Sequence, residues 1–234
     1  MREQDMQDIR VITLDLDDTL WDILPVIRRA ETALNDWLAE HYPRIPRRWP
    51  RERAAELRQE VLQRHADKAH DLTFLRKQVI AAMARDAGYA ASLSEAAFAV
   101  FDEHRNRLEL FPDARPALEK LKSRYRLIAV TNGNADLRKI GIDELFDGFV
   151  SARLAGASKP DARIFDAAVA AGGALPSETL HVGDHPDQDV GGAQRAGLRA
   201  VWINRKREEW PASQAPADLE VSDLSVLADF LAAG

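Results

Sequence analysis

The run from Ile9 to Leu14 is apolar, rich in β-branched residues and ends at Asp15, the pattern of a short buried strand. The period then becomes helical for about ninety residues. Pro25 to His41 puts Ile27, Ala30, Leu34, Trp37 and Leu38 on one face, with Pro25 suited to a first helical turn. A loop carrying Pro43, Pro46 and Pro50 follows. Arg51 to Asp67 forms a second helix and Leu72 to Ala87 a third, stopped by Gly88. Ser92 and Glu95 have the spacing of a capping box and open a fourth helix through Phe98, Phe101 and Leu108. Beyond Pro112 strands and helices alternate. The spacing predicts a helix over 114–123, a strand over 127–130 and a short helix near Leu137. A strand at 149–150, a helix over 161–171 and a strand over 179–182 come next. The chain then gives a helix over 189–196, strands over 200–203 and 219–221, and a helix over 224–232. Alternation of this kind implies parallel pairing and right-handed crossovers. The expected architecture is therefore a doubly wound parallel α/β sheet with an all-helical, four-helix insert after the first strand. Residues 1–22 and 112–234 make the core domain, and 23–111 the insert.

Composition narrows the functional classes. The 234 residues carry a net charge of −6, with a pI of about 5.6. No basic stripe of the kind that binds nucleic acid is visible. The densest basic stretch, RIPRRWPRER from Arg44 to Arg53, is broken by prolines and reads as a solvated loop. There are no cysteines, which excludes disulfides, thiolate zinc sites and a cysteine nucleophile. The N-terminus is polar, and no apolar run approaches the roughly 18 residues that span a bilayer. A cytoplasmic protein without nucleic-acid or membrane partners, monomeric or homodimeric, is expected.

The chemistry lies at the strand ends, where open parallel sheets bind ligands. Asp15-Leu16-Asp17-Asp18-Thr19 follows the first strand, and Thr131-Asn132-Gly133 follows Val130. Ser158-Lys159-Pro160 comes after the third strand and its loop, and Gly183-Asp184 follows Val182, with Asp189 five residues on. Four distant segments thus bring carboxylates, a lysine and a hydroxyl to one edge. Crowded carboxylates are costly unless a cation joins them. Asp15, Asp17, Asp184 and Asp189 are hard oxygen donors suited to Mg²⁺. Lys159, the Thr131 hydroxyl and the backbone N–H groups around Asn132 and Gly133 suit a phosphate. Asp15 and Asp17 are two apart, so in a strict strand they share a face. One would act as nucleophile and the other as proton donor, then as base for water.

Four motifs occur in a fixed order: LDLDDTL at 14–20, VTN at 130–132, SKP at 158–160 and VGDHPDQD at 182–189. Together they resemble the haloacid dehalogenase superfamily, over almost the whole chain. The resemblance implies a Rossmann-like core with a helical cap between the first two motifs, closing over the substrate. It implies Asp15 as nucleophile and Asp17 as general acid/base, with the Asp17 backbone carbonyl facing the metal. Asp184 would be a Mg²⁺ ligand, with Asp189 in or beside that shell, and Thr131 and Lys159 would hold the phosphate. The stretches LDLDDTLWD, HDLTFLR, AVTNGNADL and LHVGDHPDQDVGGAQRAGLRAVWI are similar to the bacterial flavin mononucleotide phosphatases. Those enzymes are also linked to removing phosphate from a ribityl-aminouracil precursor of riboflavin. The expected partner is a small phosphomonoester. His185-Pro186 departs from the acidic or small residues that the family pattern has there.

Other readings use the same residues. A nucleotide or sugar phosphatase or a phosphomutase fits them, and a dehalogenase fits without needing Asp17 as proton donor. A non-catalytic binding module would not need every motif residue. Asp18 reads as a turn residue, and Gly133 and Gly183 as backbone requirements beside a bound anion. Trp21 is read either as packing or as a stacking surface for a flat substrate. Arg76 is read as solvated or as reaching a substrate. Trp202 and Trp210 read as packing residues. The six histidines show no metal spacing; His65 and His70 lie in a loop, and His185 reads as exposed.

Overall fold

In the computed structural model, which describes residues 8–233, six strands form one parallel sheet. They are β1 (Val11–Leu14), β2 (Arg126–Thr131), β3 (Gly148–Ser151), β4 (Thr179–Gly183), β5 (Arg199–Ile203) and β6 (Leu219–Val221), in the order β3-β2-β1-β4-β5-β6. The order reverses at β1, which pairs with β2 on one side and β4 on the other. That reversal opens a crevice at the carboxyl ends of β1 and β4, where neighbouring connections leave on opposite faces. All four residues of β1 are buried, as a central strand covered on both faces requires. This is the expected doubly wound α/β fold.

The chain divides into two compact units. One comprises Met1–Asp22, Glu109–Gly133 and Ile140–Gly234, as far as these are described, and contains the sheet. Its helices are α6 (Ala114–Lys122), α8 (Ala152–Ala155), α9 (Ala162–Gly172), α10 (Gly192–Arg195) and α11 (Leu224–Ala233). Val11, Ile128 and Val130 of the sheet pack with Ile164 and Phe165 of α9 and with Trp202 in one apolar cluster.

The other unit comprises Ile23–Leu108 and Asn134–Lys139. It holds α1 (Ile23–His41), α2 (Arg44–Arg48), α3 (Arg51–Arg64), α4 (Leu72–Asp86) and α5 (Leu93–Arg105), and most of the short α7 (Leu137–Ile140). Leu34, Leu38, Ile45, Leu57, Ile80 and Phe101 form its own core. Segment 134–139 is joined to it by hydrogen bonds. The Asp136 N–H donates to Asn106 Oδ1 at 2.8 Å, and Lys139 pairs with Asp102.

Three local expectations are corrected. The proline-bearing stretch after α1 is a loop only in part: Arg44–Arg48 forms a fifth short helix whose Ile45 is 1% exposed. Burying one branched side chain there outweighs the prolines, which sit where the first turn needs no N–H. Ser92 makes no side-chain cap, because its backbone is already helical at φ −62 and ψ −19. The stretch between His65 and His70 contains a single 3-10 turn, Ala66–Lys68.

Candidate active site

The β1–β4 ladder continues one step beyond the strand: the Asp15 N–H donates to the Val182 carbonyl at 2.9 Å. Asp15 is thereby fixed by backbone at the mouth of the crevice. The chain then leaves extended structure. Asp18 turns through a left-handed conformation, φ 61, which fits its expected turn role. Asp15 and Asp17 both lie beyond the end of β1, and Asp17 makes an isolated bridge with Trp21 across the turn. The turn brings Thr19 back, and its buried hydroxyl donates to Asp15 Oδ2 at 3.2 Å.

Lys159 is 4% exposed and lies between two carboxylates. Its Nζ donates to Asp15 Oδ1 and to Asp189 Oδ1 at 2.6 Å. Asn132 fixes the lysine's backbone. Asn132 Oδ1 accepts the Lys159 N–H at 2.7 Å. Its Nδ2 donates to the Lys159 carbonyl at 3.1 Å and to Gln188 Oε1 at 3.0 Å. The Asn132 side chain is thus occupied in holding the lysine loop. Thr131, at the end of β2, accepts the Gly133 N–H at 2.8 Å, which leaves its own hydroxyl proton free to donate.

Asp184 stands at the end of β4, and Trp202 of β5 holds its carbonyl through Nε1 at 2.7 Å. Pro186–Gly191 forms a π-helical turn that carries Asp189 back over the strand end. Three N–H groups meet on Asp189: Lys159 and His181 on Oδ1, at 2.6 and 3.1 Å, and the His185 backbone on Oδ2 at 3.0 Å. A Cβ on Gly183 would overlap the Asp189 carboxylate. The glycine is therefore required by a close approach within the protein.

Ligand atoms of Asp15, Asp184 and Asp189 all lie within 4.8 Å of one another. Burial first, then Asp189 and Asp184, pushes the Asp15 carboxyl well above the usual range, and Lys159 works against that rise. Burial, with Asp189 and Asp18, pushes Asp184 up to about 7. Asp189 is also buried, but the charge of Lys159 and the His181 hydrogen bond hold it below the usual range. Burial disfavours the charge on Lys159, yet Asp15 and Asp189 outweigh it and raise the lysine's pKa. One ammonium faces three carboxylates, so the site is short of positive charge. An all-oxygen donor set with surplus negative charge fits a hard divalent cation such as Mg²⁺.

The Asp17 carboxylate lies outside this group of three and accepts the Trp21 indole N–H at 2.8 Å. Trp21 is 0% exposed, which favours packing over stacking on a substrate. His185 is exposed, and its Nδ1 accepts from the N–H groups of Asp187 and Gln188. Arg76 is neither solvated nor free. It donates to Glu31 at 2.6 Å and lies 3.6 Å over the Phe101 ring, both within the helical unit.

Sequence reasoning missed Thr19, His181 and the backbone role of Trp202. His181 lies inside an apolar strand, but its partner Thr13 becomes visible only from the pairing register of β1 and β4.

Residues 9–197 match the family described as haloacid dehalogenase-like hydrolase. The chain is 32% identical to Escherichia coli YigB, a 5-amino-6-(5-phospho-D-ribitylamino)uracil phosphatase, over 95% of this chain and 96% of that one. It is 36% identical to a Thermus thermophilus phosphoserine phosphatase over 64% of this chain and 62% of that one. Among solved structures, a 2-haloacid dehalogenase from Pseudomonas syringae superposes with a TM-score of 0.91 at 39% identity, covering 96% and 99% of the two chains. With the motif residues gathered at the β1–β4 crevice and the match running from β1 through β4, this chain belongs to the haloacid dehalogenase-like hydrolases.

Proposed function

We propose that this hydrolase is a Mg²⁺-dependent phosphomonoesterase that works through an aspartyl-phosphate on Asp15. The supporting observation is the buried Lys159 bridging Asp15 and Asp189, with Asp184 beside them, at the crevice of the sheet. Asp15, Asp184 and the Asp17 backbone carbonyl would hold the ion, with Asp189 in or next to that shell. When bound, the ion supplies positive charge that offsets repulsion between the carboxylates and an incoming phosphate.

An Asp15 oxygen attacks phosphorus, the P–O bond to the leaving group breaks, and the acyl phosphate forms. Thr19 holds Asp15 Oδ2 and Lys159 holds Oδ1, which keeps the carboxylate from rotating. Asp17 gives a proton to the departing oxygen and then takes one from the water that hydrolyses the acyl phosphate. The Trp21 indole N–H donates to Asp17 Oδ1 at 2.8 Å, which orients the carboxyl group. Lys159, Thr131 and the N–H groups around Asn132 and Gly133 bind the phosphate oxygens.

The substrate proposed is flavin mononucleotide or the ribityl-aminouracil phosphate. Kinship to YigB, which spans both chains, supports it; Trp21 does not. A second reading has its own support in the likeness to the Pseudomonas dehalogenase. There, Asp15 would displace halide from carbon and no proton donor would be needed. Release of phosphate from p-nitrophenyl phosphate and of chloride from a 2-chloro acid separates the two. Phosphate release that needs Mg²⁺ and falls with Ca²⁺, with no chloride release, is expected. Flavin mononucleotide should show a higher kcat/KM than glucose 6-phosphate. Chloride release without phosphate release would establish the dehalogenase reading instead.

A further inference from the structure

We propose that His181, backed by Thr13, is a positioning residue that holds Asp189 and, through it, sets Lys159 against Asp15. The inference rests on the phosphatase reading above. Thr13 of β1 and His181 of β4 face each other in register, and both are 0% exposed. Their neighbours Ile12, Leu14, Leu180 and Val182 are apolar. Two polar side chains in a sheet interior are costly unless each finds a partner. Each does: Thr13 Oγ1 and His181 Nδ1 lie 2.8 Å apart, and His181 Nε2 lies 3.1 Å from Asp189 Oδ1. A carboxylate only accepts, so Nε2 carries the proton toward Asp189 whatever the state of Nδ1. Phe165 meets the imidazole edge-on at 5.1 Å and fixes the ring plane.

The result is a chain of contacts, Thr13 to His181 to Asp189 to Lys159 to Asp15, running from the sheet interior to the proposed nucleophile. Lys159 shares its Nζ between Asp15 and Asp189, so its place depends on where Asp189 is held. The His181 donor and the His185 backbone N–H grip the two oxygens of Asp189 and stop the carboxylate from rotating. An apolar residue at 181 would fill the space but release one grip. The expected consequence falls on the chemical step, because Asp189 itself need not touch the ester.

The test compares His181→Leu with His181→Gln, whose amide nitrogen reaches the Nε2 position and keeps the donor. With p-nitrophenyl phosphate and saturating Mg²⁺, Leu should lower kcat by roughly 10- to 100-fold, the usual loss when an outer hydrogen-bond partner is removed. KM should stay within about twofold, and Gln should recover most of kcat. Circular dichroism and thermal melts verify that both variants are folded. A Leu variant at wild-type kcat, or a folded Gln variant as slow as Leu, overturns the proposal. Nitrogen-15 NMR of imidazole-labelled protein gives a readout independent of turnover. It should show Nε2 of His181 protonated, with the signal shifted by Asp189→Asn; a bare Nε2 overturns the proposal as well. A wild-type protein inactive on every ester removes the phosphatase reading, while the NMR result still decides the hydrogen bond.

Discussion

Asp184 has the least support among the clustered carboxylates, since the lysine lies between the other two. Its folded pKa of about 7 stands above the ordinary 3.8. Between those values the metal-free folded protein keeps a proton that the unfolded chain has released. Its contribution to stability is therefore fully present below about pH 4 and lost as pH rises through about 7. Thermal melts in chelator should show wild type losing stability across this window, and Asp184→Asn losing less. Mg²⁺ at pH 7.5 should restore the wild type, because it binds the folded form alone. Equal slopes for the two proteins would refute the account. The two first-motif aspartates are separated by chemistry. Asp15→Asn should abolish turnover, since an amide attacks poorly. Asp17→Asn should lose roughly 10²–10⁴-fold with an alkyl phosphate. Its loss in forming the phospho-enzyme should be smaller with p-nitrophenyl phosphate, whose leaving group departs as a stable anion. Equal losses in rapid-quench labelling would take the proton-donor role from Asp17. Asp15, Asp184 and Lys159 were legible because charged residues at strand ends in an α/β pattern have few structural uses. His181 was not, since its role appears only when strands far apart in sequence pair in register.

Arg205 shows how elements keep the nucleophile loop in place. Its guanidinium donates through Nε and Nη2 to the Thr19 carbonyl, at 3.1 and 2.9 Å. It also grips Asp113 through Nη1 and Nη2, at 3.0 and 2.8 Å, and lies 4.1 Å over the Phe111 ring. Asp113 in turn accepts the Leu224 N–H that opens α11. Burial disfavours the Asp113 charge, but the Arg205 and Leu224 hydrogen bonds outweigh it and lower its pKa. Phe111 N–H donates to the Leu20 carbonyl at 2.8 Å, so the two segments leaving the sheet unit are stitched together there. Arg205→Lys keeps the charge but loses the planar fork. It should cost about 1–3 kcal/mol, seen as a lower Tm, and slow turnover, because Thr19 supports Asp15. An unchanged Tm would show that the fork is dispensable. The sequence made the strands and long helices readable, because a buried strand and an amphipathic helix impose different periods. It hid α2 and the π-helical turn. Single buried contacts and the fit of Asp189 over Gly183 decide those, and neither leaves a period in the chain.

Among the described residues the sheet unit and the helical unit each have an apolar core of their own, which implies two cooperative units, each with its own response to damage. Phe101 is 1% exposed at the centre of the helical core, with Phe98 beside it and Arg76 stacked on its face. Arg76 is held there by Glu31, and burial lowers its pKa despite that partner. Phe101→Ala removes the ring that covers the guanidinium and leaves a cavity, which costs about 3–5 kcal/mol. The loss should fall on the helical unit. Hydrogen exchange read by mass spectrometry should speed up across α1, α4 and α5. The amides of β1 and β4, whose N–H groups donate to carbonyls of neighbouring strands, should keep their protection. Val130→Ala in the sheet core should give the reverse pattern. The two variants together test whether the insert is a folding unit of its own. If Phe101→Ala raises exchange in β1 and β4 as much as in α5, the chain unfolds as one body and the division into two cooperative units is wrong.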